Sequence, residues 1–142
     1  FTTSFNNDNG CIIGMGSDTK TIYLFQDHNQ NRRVESDEVN SLNQNTDFLL
    51  IGISGFNNRN QVVGYLLYKG NEPYHAFILR EGEIIDLNTV ITPVDGLQLS
   101  WARAINDNGW ILCDGYLKSG IRKAFLLIPN PESGISTAHE YQ

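Results

Sequence analysis

The chain has 142 residues, the usual size of a single folded domain, and its 40% hydrophobic and 18% charged residues are typical of a globular rather than a disordered protein. Its formal net charge of −6 disfavours nucleic acid as a partner, because binding to phosphates requires clustered Lys and Arg. No apolar stretch of the sequence approaches the length of a membrane span.

An Asn-rich phrase occurs three times, at 7–14, 57–64 and 106–113, and its copies begin 50 and 49 residues apart. Self-similarity at such a period is typical of repeat architectures. Asn and Asp side chains bond to nearby backbone amides and, with Gly, accept positive φ angles, so each phrase predicts a tight hairpin turn. A Ca²⁺ loop is the disfavoured alternative, because it needs alternating acidic groups and a distal Glu, and Arg59 lies within the second copy.

Around each phrase, short apolar runs rich in β-branched and aromatic residues alternate with polar turns, which predicts antiparallel strands. The predicted strands, in chain order, are 12–16, 21–26, 33–35, 47–54, 62–68, 75–80, 84–87, 99–105, 111–117 and 123–128. The candidate at 33–35 lies in a polar segment, 27–46, that obscures the third strand of the first repeat. No stretch has helical periodicity over a useful length, and 37–42 forms at most one turn.

About four short strands in about fifty residues is the size of a β-propeller blade, in which four-stranded antiparallel sheets pack around a central channel. We therefore expect an all-β fold with about three such blades over 1–130. The approximate repeats are 1–54, 55–104 and 105–130, with the final strand of the third blade missing. The remaining residues, 131–142, have little apolar content and predict a flexible tail.

Three blades form an arc with two bare apolar sides, because propellers have roughly four to eight blades. The missing blades are expected either from the rest of a longer chain or from a second copy, since two arcs would close a six-bladed ring with two-fold symmetry. The chain begins at Phe1 rather than Met, which favours the longer chain as the expectation. In that case the strand containing Thr3-Ser4-Phe5 would be the last strand of a preceding unit.

Several phrases recur together: Ile-Asn-Asp-Asn-Gly at 105–109, His-Ala-Phe at 75–77, Lys-Ala-Phe at 123–125 and Asp-Leu-Asn-Thr-Val at 86–90. They resemble the "HAF" repeats of bacterial exported proteins, in which an Ile-Asn-Asp-x-Gly-x-Val-Val-Gly phrase precedes His-Ala-Phe-Leu and Asp-Leu-Gly-Thr-Leu. The resemblance covers the second and third repeats well and the first loosely. It implies a propeller-like fold and a secreted, periplasmic or cell-surface location, and it supplies no catalytic residues.

Five side chains are the candidate ligand-binding residues: Arg59, Trp101, Trp110, Asp114 and Tyr116. Aromatic faces beside Asn and Asp suit a glycan or protein ligand. Packing between sheets is the alternative role for each ring, because buried aromatics dominate core energetics. Trp110 is the strongest surface candidate, since its counterparts are Cys11 and Gln61 and a core position would be apolar in all three repeats.

No metal or cofactor site is predicted. His28, His75 and His139 are not spaced with Asp, Glu or Cys as a ligand set, and Lys123 replaces His75 in the next repeat, which favours a structural or surface role. The segment 14–20 has the glycines of a phosphate loop but lacks its Gly-Lys-Ser/Thr order and a following helix. Cys11 and Cys113 are too few for a disulfide framework, and a bridge between them is not expected.

These observations favour a non-catalytic, exported β-propeller segment that binds a protein or a glycan, with further blades or a second copy as its other partner. A hydrolase or lyase on a propeller scaffold is the first alternative. Its candidate groups are carboxylates on a common rim: Glu72, Asp86, Asp95 and Asp114. A purely structural or assembly module is the second alternative.

Overall fold

The computed structural model describes residues 4–43, 47–70, 73–92, 94–132 and 136–141. Within these ranges the chain forms twelve β-strands and two short 3₁₀ helices and has no α-helix, so the all-β prediction is confirmed. The strands are β1 (Ser4–Asn6), β2 (Ile12–Met15), β3 (Ile22–Phe25), β4 (Val39–Ser41), β5 (Phe48–Phe56), β6 (Val62–Tyr68), β7 (His75–Arg80), β8 (Glu83–Asp86), β9 (Gln98–Ile105), β10 (Ile111–Tyr116), β11 (Arg122–Pro129) and β12 (Ser136–Tyr141). The 3₁₀ helices are Ser36–Glu38 and Leu87–Thr89.

The strands form three four-stranded antiparallel sheets, and in each sheet the strands lie in chain order. Sheet 1 contains β1 to β4, sheet 2 contains β5 to β8, and sheet 3 contains β9 to β12. Each Asn-rich phrase begins with the hairpin turn between the first two strands of its sheet. One sequence period of about fifty residues therefore corresponds to one sheet.

The sheets group the strands differently from the predicted repeats. The strands predicted at 47–54 and 99–105 as the last of their repeats are β5 and β9, which open sheets 2 and 3 by pairing with β6 and β10. The reason is local, because a tight hairpin turn makes its two flanking strands hydrogen-bonded neighbours. By the same rule β1 opens sheet 1, with Phe5 opposite Ile13, and does not end a preceding unit. Thr3 lies outside the described residues.

The third strand of the first repeat is β4, not the predicted 33–35. Residues 33–35 lie in a loop that is held by its own side chains. The side-chain amides of Asn29 and Asn31 donate to the carboxylate of Glu35, at 2.8 and 3.0 Å. These local bonds give the polar segment an alternative to strand pairing.

The predicted tail contains the strand that was expected to be missing. β12 pairs with β11 through six residue pairs, from Ala124 opposite Tyr141 to Pro129 opposite Ser136. Without it, β11 would present a row of unpaired backbone amides and carbonyls. Sheet 3 is therefore complete with four strands. Residues 130–135 connect β11 to β12, and 133–135 of these lie outside the described part of the chain.

Two apolar clusters join the sheets face to face, in the order sheet 1, sheet 2, sheet 3. The first cluster lies between sheets 1 and 2 and contains Ile13, Met15, Ile22, Phe48, Ile51, Ile53, Val62, Leu66, Phe77 and Leu79. The second lies between sheets 2 and 3 and contains Val63, Ala76, Ile78, Leu87, Leu99, Ala102, Ile111, Cys113, Phe125 and Leu127. Sheet 2 is thus covered on both faces, which explains its continuous apolar strands.

Successive residues after each Asn-rich turn face opposite neighbours. Val62 belongs to the first cluster and Val63 to the second, and both side chains are fully buried. In sheet 3, Ile111 occupies the position of Val62 and faces sheet 2. In sheet 1, Ile13 occupies the position of Val63 and also faces sheet 2. The period-two alternation of a strand therefore gives each sheet one face for the preceding sheet and one for the following sheet.

Candidate binding cleft and the turns that build it

The three Asn-rich turns share one geometry. In the first turn, Asn7 Oδ1 accepts the backbone N–H groups of Asn9 and Cys11, at 3.1 and 3.0 Å. Asn57 and Asn106 accept the equivalent two amides in their own turns, at 2.9 to 3.0 Å. The fourth turn residue has a positive φ in each case: Gly10 at 75°, Asn60 at 56° and Gly109 at 79°. The predicted hairpin turns are confirmed, and their Asn side chains serve as Asx acceptors.

The turns also bond to one another across the sheets. Asn7 Nδ2 donates to the backbone carbonyl of Asn57 at 3.1 Å, and Asn57 Nδ2 donates to that of Asn106 at 3.0 Å. Asn7 and Asn57 are buried, with 8% and 4% of their surface exposed. The same atoms therefore make the same bond at both junctions between sheets, and we call this series of bonds the turn ladder.

The next residue of each turn adds a second rung. The backbone N–H of Asp8 donates to Asn58 Oδ1 at 2.7 Å, and that of Asn58 donates to Asp107 Oδ1 at 2.8 Å. Asn58 Nδ2 lies between the two acidic residues and donates to Asp8 Oδ2 and Asp107 Oδ2, both at 2.9 Å. One amide thus bridges two carboxylates that would otherwise repel each other.

A cleft of about 400 Å³ opens between sheets 2 and 3 at the end of the molecule that carries the turn ladder. Its wall includes Arg59, Gln61, Arg80, Trp110, Pro129 and Asn130. The buried side chains of Ile78 and Leu87 line it further in. Its volume falls within the range of about 300–1,000 Å³ that is usual for small-molecule sites.

Two guanidinium groups give the cleft a positive wall. Arg59 and Arg80 are both exposed, and Arg59 Nη1 lies 3.4 Å from the backbone carbonyl of Asp107. The same two arginines line an adjoining depression of about 480 Å³, together with Glu81 and Glu83. A guanidinium presents a planar fork of donors that matches a carboxylate, so this wall suits an acidic ligand.

The five predicted ligand residues fall into two groups. Arg59 and Trp110 line the cleft, where Trp110 is 41% exposed. Trp101, Asp114 and Tyr116 lie on sheet 3, away from the cleft lining. The prediction that all five bind a ligand stays a prediction, and their surroundings differ.

Trp101 packs between sheets 2 and 3. Its indole Nε1 donates to Ser54 Oγ at 2.6 Å, and its ring centroid lies 4.5 Å from that of Tyr65. The guanidinium of Arg103 lies 3.7 Å from the centroid of the same ring, a cation–π contact. These contacts agree with the alternative role of an aromatic ring that joins two sheets.

Asp114 is tied to two guanidinium groups. Its Oδ2 accepts from Arg103 Nε at 2.7 Å and from Arg122 Nη2 at 2.5 Å. Burial opposes the charge of Asp114, but the bonds and charges of the two arginines outweigh it and hold the pKa of this carboxyl below its ordinary value. Tyr116, which is 42% exposed, lies opposite Arg122 in the β10–β11 pair. A carboxylate that is ionised and accepts hydrogen bonds from two guanidinium groups is a poor proton donor.

A polar cluster at the other end of sheet 2 was not predicted from the sequence. Asp86 Oδ2 lies 2.6 Å from His75 Nδ1 and accepts the hydroxyl of Tyr68 at 3.2 Å. Burial and the negative charge of Asp86 raise the pKa of Tyr68 to about 12. Asp86 Oδ1 accepts the backbone amide of Asn88 at 2.9 Å, and the Asn88 side chain bonds to both backbone groups of Leu99 in sheet 3. The cluster therefore links two sheets.

The structure describes three of the four carboxylates proposed for a common rim. Asp86 and Asp114 belong to the two separate clusters just described, Asp95 is exposed, and Glu72 lies outside the described residues. Among the residues that the structure describes, no three His, Cys, Asp or Glu side chains are placed to hold a metal ion. Cys11 and Cys113 are free thiols, and both are buried.

No helix in the described ranges is long and apolar enough to cross a membrane. Comparison with known proteins gives no match: no family model, no curated protein and no solved structure is significantly similar to this chain.

Proposed function

We propose that this chain is a non-catalytic binding segment of β-propeller type, and that the cleft between sheets 2 and 3 takes a carboxylate-bearing glycan. The observation that carries the proposal is the shared cleft of Arg59, Arg80 and Trp110. Two guanidinium groups offer charge-assisted bonds to a sugar carboxylate, and an exposed indole offers an apolar face for a sugar ring. Gln61 and Asn130 add amide groups beside them.

The propeller type of the segment is part of the proposal. Its support is the stacking of three similar four-stranded sheets at a period of about fifty residues, joined by equivalent bonds at both junctions. The HAF-like phrases support membership of that repeat family and, with it, an extracytoplasmic location. Fractionation of the source cells with an antibody against the chain tests the location, and recovery only from the cytoplasm would contradict it.

Calorimetric titration of the purified chain with an oligouronate tests the ligand class, with a neutral oligosaccharide of equal length as the comparison ligand. We expect binding of the oligouronate alone. The double variant Arg59→Gln/Arg80→Gln and the single variant Trp110→Ala should each weaken it about tenfold or more. Arg33→Gln removes an exposed arginine outside the cleft and is the matched control. Equal affinity for both ligands, or equal losses in the control, would refute the acidic-glycan proposal.

The hydrolase or lyase alternative has less support. Asp114 is held ionised by two arginines, and Asp86 already accepts bonds from His75, Tyr68 and Asn88. A glycoside hydrolase of the usual type needs one carboxyl that gives up a proton near neutral pH and a second carboxyl that faces it across the substrate. Turnover of a glycan that disappears in Asp86→Asn or Asp114→Asn would favour this alternative over the binding segment.

A further inference from the structure

The outer face of sheet 1 exposes a position that is buried in both other sheets. Ile12 is 43% exposed, whereas the corresponding residues Val62 and Ile111 are 0% and 3% exposed. Val62 packs against sheet 1 and Ile111 against sheet 2, so this position always faces the preceding sheet. Around Ile12, the surface forms an apolar hollow of about 310 Å³ that also includes Tyr23, Phe25 and Val39.

The outer face of sheet 3 exposes the complementary position. Leu112 is 39% exposed, whereas its counterparts Ile13 and Val63 are both 0% exposed. Ile13 and Val63 face the following sheet, where they share clusters with Val62 and Ile111 respectively. At the two inner junctions, the residue at the position of Leu112 packs against the residue at the position of Ile12. Leu112 and Ile12 are therefore the two exposed halves of one such contact.

The turn ladder has matching open ends. Asn106 is exposed, although its counterparts Asn7 and Asn57 are buried, and its Nδ2 donates to no described residue. At the other end, no described side-chain amide donates to the backbone carbonyl of Asn7 from outside its own turn. Among the described residues, sheet 3 thus ends on a donor without an acceptor, and sheet 1 begins with the acceptor that such a donor bonds to at both inner junctions.

We propose that a second copy of this chain covers these faces, with sheet 3 of one copy packed on sheet 1 of the other. Leu112 then contacts Ile12, and Asn106 Nδ2 donates to the carbonyl of Asn7, as Asn7 and Asn57 do within one chain. Two such junctions would make a two-fold ring of six sheets, in which sheets 1 and 3 of each copy are both covered. A second copy is the occupant because the two open faces are the two halves of one junction that this chain already makes twice. This inference goes beyond the proposed glycan site and does not depend on it.

One rung of the new junction is unfavourable. Asn58 places an amide between Asp8 and Asp107 inside the chain, whereas the new junction places Asp107 beside Asp8 with no amide between them. Two adjacent carboxylates repel each other. Asp107→Asn removes one of the two charges and supplies an amide at the new junction, although inside the chain it gives up the acceptor that Asp107 Oδ2 offers to Asn58 Nδ2. The folded variant should therefore associate about tenfold or more tightly than the unsubstituted chain.

Sedimentation velocity of three variants tests the arrangement. Ile12→Arg blocks sheet 1, Leu112→Glu blocks sheet 3, and Ile121→Arg is the control at a residue that is 56% exposed in the β10–β11 turn. Circular dichroism confirms that each variant folds. We expect the unsubstituted chain and Ile121→Arg to be dimers and each blocked variant to be a monomer.

Mixing the two blocked variants decides between arrangements. In the mixed ring one junction is intact and the other brings together the two introduced charges, which have opposite signs. An equimolar mixture should therefore form a one-to-one pair although neither variant associates alone. Dimerisation of either blocked variant by itself would overturn the proposal, because it would mean that like faces pair. A monomeric unsubstituted chain at about 100 μM, or a mixture that stays monomeric, would also overturn it, as would weaker association of Asp107→Asn than of the unsubstituted chain.

Discussion

The side-chain amide of Asn57 donates to the backbone carbonyl of Asn106, 3.0 Å away in the next sheet, and Asn7 makes the same bond to Asn57 at 3.1 Å. Each of these Asn residues also holds its own turn through two bonds to Oδ1. One residue type therefore closes the hairpin and joins it to the neighbouring sheet. With the two apolar clusters, this makes the three sheets a single stacked body.

Asn57→Asp and Asn106→Asp are a matched pair of variants that measures the contribution of the side-chain Nδ2 donor to stability. Both retain the acceptor that closes the turn, and both lose the amide. At buried Asn57 the new carboxylate meets the carbonyl of Asn106 and the side-chain oxygen of Gln61, so we expect a loss of about 2–3 kcal/mol in the free energy of unfolding. At exposed Asn106 the loss in dilute solution should be below about 0.5 kcal/mol. Urea unfolding measures both, and equal losses would contradict the ladder.

Gly64→Ala should be among the most destabilising single substitutions in the chain. A Cβ at Gly64 would lie 1.8 Å from the carbonyl oxygen of Gly52 on the adjacent strand, and backbone cannot move aside cheaply. We expect a loss of about 3 kcal/mol or failure to fold. Gly70→Ala is the control, because its φ of 115° is strained for Ala but its Cβ meets no atom, and about 1 kcal/mol is expected there. Thermal unfolding measures the stability of both variants. A larger loss of stability in Gly70→Ala than in Gly64→Ala would contradict the close approach of Gly64 to Gly52.

The acid stability of the chain should depend on Asp114. Its pKa is lower in the folded chain than its ordinary value of 3.8, so its contribution to stability is fully present above pH 3.8 and is lost as the pH falls through the folded value. Asp114→Asn should therefore reduce the melting temperature at pH 7 and make it less dependent on pH below about 4. Parallel melting-temperature profiles for the two proteins between pH 2 and pH 7 would contradict this account.

Both thiols should react slowly in the folded chain. Burial raises the pKa of Cys11, although a bond from Asn60 partly opposes the shift, and burial together with the charge of Asp114 raises the pKa of Cys113. A neutral, buried thiol is a weak nucleophile. A chromogenic disulfide reagent at pH 8 should label the chain at least about a hundredfold more slowly than it does in denaturant. Labelling of either thiol at the denatured rate would contradict the packing around it.

The sequence predicted what depends on local chemistry. The turns at 7–10, 57–60 and 106–109 could be predicted because Asn, Asp and Gly are the residues that form Asx bonds and adopt positive φ angles. The strands next to these turns could be predicted from their apolar, β-branched runs. The membership of β5 and β9 in the following sheets was also readable in principle, since a tight hairpin makes its flanking strands neighbours. The predicted repeats begin near each Asn-rich phrase, so they separate β5 from β6 and β9 from β10.

The rest depends on how the sheets stack. The bond from Asn57 to Asn106 joins residues 49 positions apart, and nothing in the phrase reveals that its amide leaves the turn. β12 has little apolar content and follows residues of turn type, so only the open edge of β11 explains it. The cluster of His75 and Asp86 follows from the β7–β8 register, which places Phe77 opposite Asp86 and so brings His75 close. Arg59 and Trp110 share a cleft because two turns stack, not because of their spacing.

The most direct test of a single stacked body is the unfolding of Asn7→Ala followed by tryptophan fluorescence. Both tryptophans, Trp101 and Trp110, lie in or beside sheet 3, whereas Asn7 follows β1 of sheet 1. Within the described part of one chain, the Asn7 side chain bonds to its own turn and to the turn between β5 and β6 of sheet 2. If the turn ladder and the clusters couple the sheets, the urea midpoint should fall equally by fluorescence and by circular dichroism, in one transition. An unchanged fluorescence midpoint with a lowered circular dichroism midpoint would show that sheet 1 unfolds alone and would contradict the account.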